Sequence, residues 1–151
     1  MTDETRDRTS ASWRGVEVTR TGDGRFQAVN ERGAVIPLAS GDTSDFTPVE
    51  LLLAALAGCA AVTVESITSR RATPTSFVVA GEGHKIRDDG GNHMVDLRVS
   101  LDVSFPEGPD GDRAREALPR AVQQTHDRIC TVSRTVSLGE PVEYAVVETL
   151  R

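Results

Sequence analysis

The chain has 151 residues and a net charge of −6, with 38% hydrophobic and only 4% aromatic residues. This length is sufficient for one domain with a real hydrophobic core. The acidic balance and the few aromatic side chains argue against a nucleic-acid-binding surface or a site for anionic membranes. Two cysteines are too few for a disulfide scaffold, so we expect a soluble protein of the reducing cytoplasm.

The first part of the chain predicts a small sheet behind a polar tail. Residues 1–12 are charged and polar, lack the apolar region of a signal peptide, and are expected to be disordered or frayed. Residues 13–151 are expected to form a single domain. Alternating apolar residues after Trp13, with turn sequences at 22–24 and 31–33, predict three short strands that end near residue 38.

The clearest predicted element is a helix from residue 48 to about residue 69. Thr47, Pro48 and Glu50 have the layout of a capping box with proline at the first helical position. The helix is apolar on nearly every side, which predicts burial at the centre of the fold or across a subunit interface. Its apolar run, residues 49–64, is short and alanine-rich for a membrane span.

The second half predicts a hairpin and a second helix. Alternation favours strands at 77–85 and 94–105 around a turn at 88–92. Asp112 is expected to cap a helix that runs to residue 128, with Pro119 kinking it or splitting it in two. Residues 132–138 are ambiguous, and residues 142–147 are expected to form a closing strand. Hairpins with helices inserted between them indicate the α+β class.

The candidates for chemistry are the two cysteines. Cys59 lies in the middle of the first helix and Cys130 lies just after the second. Either can be a buried small hydrophobic residue, although Gly58 inside the helix suggests that something packs closely beside Cys59. If the fold brings them together, they form a dithiol. A peroxide-reducing thiol needs a lowered pKa and a second thiol that traps the sulfenic acid.

Few other groups offer chemistry. Arg20 and Arg25, in the first hairpin, are either solvated turn charges or the cation beside a thiolate. Glu50 lies nine residues before Cys59, on the opposite side of an ideal helix, so a capping role is the better interpretation. No histidine or cysteine spacing matches a zinc site and no glycine-rich phosphate loop follows a strand, so neither a metal nor a nucleotide cofactor is expected.

Three segments resemble a known superfamily. Residues 47–59, TPVELLLAALAGC, are similar to the central helix of the osmotically inducible protein C and organic hydroperoxide resistance (OsmC/Ohr) superfamily, in the style of its OsmC-like branch. Residues 129–133, ICTVS, resemble its second cysteine motif. Residues 21–25, TGDGR, are weakly similar to its N-terminal hairpin. In element order the resemblance covers roughly residues 13–148.

The resemblance implies a fold and a chemistry. The implied fold has antiparallel sheets packed around a long central helix plus a second helix, in an intertwined homodimer with active sites at the subunit interface. Cys59 matches the peroxidatic cysteine and Cys130 the resolving one. Superfamily members reduce organic hydroperoxides in oxidative-stress defence, and small dithiols or lipoylated proteins reduce them again, so no bound cofactor is implied.

The chain departs from the superfamily pattern beside the first cysteine. In the peroxidase branches a glutamate follows the motif proline and orients a catalytic arginine. Here Val49 takes that position and Glu50 comes one place later, while Gly22 stands where the arginine is expected. Arg20 or Arg25 would then substitute for it. Thr131 also replaces the usual proline after the second cysteine.

Three functional hypotheses follow from the sequence. The leading one is a thiol-dependent peroxidase that reduces organic hydroperoxides through Cys59 and Cys130. The second is a non-catalytic protein that binds a small apolar ligand at the dimer interface. The third is a structural dimer whose cysteines are inert.

Overall fold

A computed structural model describes residues 9–147, and the chain divides into two compact units that meet in sequence at Leu51 and Leu52. The elements in chain order are β1 Val16–Gly22, β2 Arg25–Asn30, β3 Val35–Ala39, α1 Pro48–Thr68, β4 Ser76–Asp88, β5 Gly91–Ser104, α2 Pro109–Gln124, a π-helical turn Thr125–Ile129 and α3 Thr131–Leu138. The predicted α+β class is therefore confirmed. Of the predicted tail, residues 1–8 lie outside the described residues and 9–12 are exposed. The single domain over 13–151 stays a prediction.

The first unit is built on a three-stranded antiparallel sheet in the order β1-β2-β3. The turns expected at 22–24 and 31–33 join the strands, as the glycine-rich turn sequences predict. After β3 the chain folds back on itself, because the Ala39 amide donates to the Phe46 carbonyl at 3.0 Å. This return delivers the chain to the start of α1.

The predicted capping box begins α1. The Thr47 amide donates to Glu50 Oε2 at 2.7 Å, and the Glu50 amide donates to Thr47 Oγ1 at 3.3 Å. These reciprocal bonds satisfy two of the amides that a helix leaves unpaired in its first turn. The helix that they start spans 21 residues and ends one residue before the predicted boundary.

Helix α1 buries one stripe rather than its whole circumference. The buried positions are four residues apart: Leu56, Ala60, Val64 and Thr68. Val62 is 72% exposed, so one chain does not bury the helix on nearly every side, and the alternative, burial across a subunit interface, stays a prediction. The space beside Gly58 is also open in the described part of the chain, so the close packing expected there is not supplied by residues 9–147 of the same chain.

One helix in the described part of the chain, α1, is long and apolar enough to cross a membrane by length and composition alone. The core helix of a soluble protein has the same properties, so this finding by itself is weak evidence for a span.

In the second unit β4 and β5 form a long antiparallel hairpin. The predicted alternation holds: Val99, Leu101 and Val103 are half-buried, whereas Asp102 is exposed. At Gly81 the hairpin approaches α1, because a Cβ atom there would lie 2.5 Å from the Leu53 carbonyl oxygen. Glycine therefore permits the close contact between strand and helix.

The second helix begins earlier than predicted. Gly108 is its N-cap and Pro109 its first residue, so Asp112 lies in the first turn and the prediction that Asp112 caps the helix is wrong. Proline is favoured at this position because its missing amide would be unpaired there anyway. Gly111 lets the first turn lie against the chain before it, since a Cβ atom would be 1.8 Å from the Pro106 carbonyl oxygen.

The hydrophobic cluster of the second unit links the end of β5 with α2. Ala72, Phe105 and Ala114 are buried together, and Val103 and Leu118 pack against them. The helix passes through Pro119 and ends at Gln124, where the π-helical turn follows. The predicted boundary at residue 128 therefore corresponds to this turn.

The chain after Cys130 differs most from prediction. The ambiguous residues 132–138 lie in α3, which ends at Gly139 in the left-handed conformation. The closing strand predicted at 142–147 is wrong, since these residues are irregular and exposed and belong to no described strand. Alternating apolar residues form a strand only where a neighbouring strand supplies hydrogen bonds.

Candidate active site

Cys59 lies in α1, in the second unit, and is half-buried with a free thiol. It follows Gly58 and precedes Ala60, one of the buried stripe residues. The Thr63 hydroxyl donates to the Cys59 carbonyl at 2.8 Å, a bond that ties the next helical turn to this residue. The sulfur therefore stands on a rigid helix and remains partly accessible.

Cys130 connects the π-helical turn to α3. Its amide donates to the Thr125 carbonyl at 2.9 Å, which closes the π-helical turn. Its sulfur accepts the Ser133 amide at 3.4 Å, so Cys130 is the N-cap of α3. The residue is only 1% exposed, and bonds on both sides hold the thiol in place.

The Cys59 side chain acts on the Cys130 thiol although 71 positions of sequence separate the two cysteines. Burial raises the pKa of the Cys130 thiol, and the neighbouring Cys59 side chain raises it further through hydrogen bonding and charge. The Ser133 amide opposes this shift by donating to the sulfur. Burial and a nearby negative charge both disfavour a thiolate, so Cys130 retains its proton more firmly than an ordinary cysteine.

A cavity of about 470 Å³ in the second unit adjoins Cys130. One wall carries the buried face of α1, with Leu56 and Val64, and another carries Leu97 and Leu101 of β5. Most of this lining is aliphatic. The cavity can therefore hold an apolar organic group next to Cys130.

The predicted activating carboxylate belongs to the first unit and serves the helix cap. The Thr47 amide, and then the Thr47 hydroxyl at 2.8 Å, donate to Glu50 and lower its pKa. Hydrogen bonds to the charged form stabilise a carboxylate, which explains the direction of this shift. The capping interpretation of Glu50 is confirmed, and its activating role stays a prediction.

The predicted activating arginines also belong to the first unit. Arg20 is exposed and forms an ion pair with Asp23 across the β1–β2 turn. Arg25 is exposed at the start of β2, where its backbone pairs with Gly22 and Ala39. Either arginine as the cation beside a thiolate stays a prediction.

Two residues of the thiol environment were not predicted from the sequence. Ser133 contributes through its backbone amide, which no side-chain pattern reveals, although a spacing of three residues after Cys130 is typical of an N-cap. Thr125 falls inside the predicted second helix, where no pattern marks it as a site residue. Its position five residues before Cys130 becomes meaningful once the π-helical turn is known.

Residues 41–145 match the family described as OsmC-like protein. The chain belongs to the OsmC-like family. The match contains both cysteines and every element from the start of α1 to the end of α3. The predicted relationship to the OsmC/Ohr superfamily is therefore confirmed.

Within residues 9–147, no group of three or more His, Cys, Asp or Glu side chains could hold a metal ion.

Similar proteins extend the match over most of the OsmC-like chain. An uncharacterized protein of Mycobacterium tuberculosis is 32% identical over 133 residues, which cover 87% of this chain and 94% of the relative. The OsmC-like protein from Mycoplasma pneumoniae has a TM-score of 0.66 at 15% identity and covers 85% of this chain and 89% of its own. The organic hydroperoxide resistance protein OhrB of Bacillus subtilis has a TM-score of 0.51 at 18% identity, with coverages of 80% and 90%. The structural matches confirm the predicted OsmC-like fold.

Proposed function

We propose that this OsmC-like protein is a thiol-dependent peroxidase that reduces organic hydroperoxides through Cys59 and Cys130. The observation that supports it most is the effect of the half-buried Cys59 on the pKa of Cys130, which is 1% exposed. A thiol peroxidase needs an accessible attacking sulfur and a second sulfur within reach. Family membership supports a redox or peroxide-related role.

The proposed reaction uses each thiol once. The Cys59 thiolate attacks the distal peroxide oxygen, the O–O bond breaks, and the leaving alkoxide takes a proton from water to become an alcohol. Cys59 becomes a sulfenic acid, which the Cys130 thiol converts to a disulfide with release of water. An external dithiol, small or lipoyl-type, then reduces this disulfide and is itself oxidised to a disulfide.

The environments of the sulfurs support this order of roles. Cys130 is buried and its pKa is raised, so it holds its proton and is poorly placed to meet a substrate first. Cys59 is the more accessible sulfur. We assign the attack to Cys59 and the resolving step to Cys130, with Arg25 or Arg20, and Glu50, as proposed activating groups.

We also propose that the protein works as a cytoplasmic homodimer. Several large apolar side chains are exposed in the single chain, among them Val62 on α1 and Tyr144, which is 93% exposed. Apolar surface of this kind often marks an interface between proteins. A second copy of the chain that covers α1 would bury the sides that the first copy leaves open.

The peroxidase proposal predicts different outcomes for the two cysteine variants. With cumene hydroperoxide and excess dithiothreitol, Cys59→Ser should lose nearly all peroxide consumption because the attacking sulfur is gone. After about one equivalent of peroxide without reductant, the wild type should lose both free thiols. Cys130→Ser is the matched control, and should form a Cys59 sulfenic acid that dimedone traps.

Two results would contradict the proposal. One is consumption of cumene hydroperoxide by Cys59→Ser at the wild-type rate. The other is an unchanged number of free thiols after the peroxide pulse, which would indicate inert cysteines.

A second candidate function is favoured by the cavity of about 470 Å³ beside Cys130. Its size and aliphatic lining suit binding of a small apolar ligand without turnover. Native mass spectrometry that detects a co-purified ligand, together with no peroxide consumption, would support this function over the peroxidase. Unchanged thiols and an empty cavity would reject both.

A further inference from the structure

The cavity in the second unit contains a polar residue that its aliphatic lining does not explain. Thr125 lines the cavity and is only 3% exposed. Within residues 9–147, its hydroxyl oxygen is buried and has no hydrogen-bond partner. Buried polar atoms in native proteins nearly always have a partner, so an unpaired hydroxyl in a cavity wall indicates that a bound molecule supplies one.

Other helical threonines of the chain show what Thr125 lacks. The hydroxyls of Thr63, Thr68 and Thr135 each donate to the carbonyl four residues earlier, at 2.8 to 3.0 Å. Within residues 9–147 the Thr125 hydroxyl makes no such bond to the carbonyl of Ala121, so it remains available to a ligand.

Two other polar residues in the cavity wall, Gln123 and Arg98, already have partners. The Gln123 side-chain amide donates to both carboxylate oxygens of Asp127, at 2.8 and 2.9 Å. Arg98 is exposed and lies 3.9 Å from a Glu82 carboxylate oxygen. His126 and Ser137 are exposed and Ser133 is half-buried. Within residues 9–147, Thr125 is therefore the residue of this cavity that combines burial with an unpaired polar atom, and it is the better anchor for a ligand oxygen.

Thr125 is also tied to the thiol pair. Its carbonyl accepts the Cys130 amide at 2.9 Å. The π-helical turn therefore brings the backbone of Thr125 next to that of Cys130. Single turns of π-helix are frequent at functional sites. A ligand whose oxygen meets Thr125 therefore lies close to Cys130.

We propose that the Thr125 hydroxyl binds the oxygen of an apolar organic molecule in this cavity, an organic hydroperoxide before reaction or the corresponding alcohol after it. The identity of the substrate as a hydroperoxide rests on the proposed function. In the attack described above, Thr125 donates a hydrogen bond to the proximal oxygen, which carries the charge of the leaving alkoxide and becomes the alcohol oxygen. Thr125 keeps its proton throughout.

The test compares two probes that differ in one group. In both molecules one carbon atom carries a phenyl ring and two methyl groups. Its fourth substituent is a hydroxyl in cumyl alcohol and a methyl in tert-butylbenzene. Calorimetry on the reduced full chain gives the ratio of their dissociation constants in the wild type, Thr125→Val and Thr125→Ser. We expect Thr125→Val to lower the preference for the alcohol about fivefold, the range of one hydrogen bond, and Thr125→Ser to preserve it.

Folding of the variants is checked by thermal melting. Valine is nearly the same shape as threonine and replaces an unpaired hydroxyl by a methyl group, so the melting temperature should not fall. If Thr125→Val does not fold, Thr125→Ala removes the same hydroxyl, and the ratio of the two dissociation constants is measured on that variant instead.

The outcomes separate this site from the peroxidase proposal. Binding of cumene hydroperoxide to the Cys59→Ser variant tests whether the site holds the substrate, and binding of cumyl alcohol tests whether it holds the product. A Thr125-dependent preference without peroxide consumption would keep the site and reject the peroxidase. An unchanged ratio in Thr125→Val, or no binding of either probe to the wild type, would overturn the inference even in an active peroxidase.

Discussion

Cys130 has a structural role as well as its proposed chemical one. Its sulfur caps α3 through the Ser133 amide, and its own amide closes the π-helical turn. The Ser133 bond favours a thiolate, whereas burial and Cys59 disfavour it, and the balance raises the pKa of Cys130. The residue that is proposed to resolve the sulfenic acid is therefore held in place as a protonated thiol.

The raised pKa of Cys130 predicts selective alkylation. Only the thiolate reacts with iodoacetamide, and burial blocks the reagent, so at pH 7.5 we expect Cys59 to be labelled before Cys130 by at least about tenfold. The ratio of the two labelling rates should decrease as the pH rises above the ordinary cysteine pKa of about 8.5, because Cys130 then begins to ionise. Peptide mass spectrometry after timed quenching measures both rates.

The control for this labelling is the same protein in 8 M urea, roughly the concentration that unfolds most small domains, where both cysteines should react alike. Faster labelling of Cys130 than of Cys59 in the folded protein would contradict the assignment of their roles.

At the scale of elements, local sequence signals predicted the strands and α1 well. The capping box at Thr47 and Glu50 and the alternation along β5 are patterns whose physical cause lies within a few residues. The sequence could not decide between burial of α1 in the fold and burial across a subunit interface, because composition shows that a face is apolar but not what covers it. The strand expected at 142–147 failed for the same reason, since no described strand pairs with it.

The candidate site was predictable in part. Cys59 and Cys130 could be chosen because they are the only cysteines in the sequence. Their interaction could not be predicted, because it depends on how α1 and the π-helical turn are placed in the fold across 71 positions of sequence. The π-helical turn itself follows from hydrogen bonds around Thr125 that have no clear sequence signature.

The contact between β4 and α1 predicts that Gly81→Ala is destabilising. The added Cβ atom would lie 2.5 Å from the Leu53 carbonyl oxygen, which belongs to the helix backbone and cannot rotate away. We expect a loss of about 1–3 kcal/mol in the free energy of unfolding, measured by urea denaturation.

The control for this substitution is Gly22→Ala. The nearest neighbour of a Cβ atom there is Arg25 Cβ at 4.0 Å, so the free energy of unfolding should change by less than about 1 kcal/mol. Equal effects of the two substitutions would show that the strand does not approach the helix as described.

At the scale of the whole molecule, the distribution of apolar surface is the main argument for a second subunit. The single chain leaves Val62 of α1 72% exposed, and residues 142–147 present further apolar side chains to solvent. The open space beside Gly58 lies on the same helix. In the proposed homodimer, the second copy covers α1. This explains why the helix carries apolar side chains that one chain leaves exposed.

The homodimer proposal predicts that a charge on α1 weakens association. Val62→Lys would place an ammonium group in a desolvated interface, so we expect the dimer dissociation constant to rise at least about tenfold. Light scattering after size-exclusion chromatography over a range of concentrations measures this change. Gln124→Lys, which adds the same charge at an exposed position of α2, should leave the mass unchanged. A wild type that is monomeric at all concentrations, or a Val62→Lys variant that dimerises as tightly as wild type, would contradict the proposal.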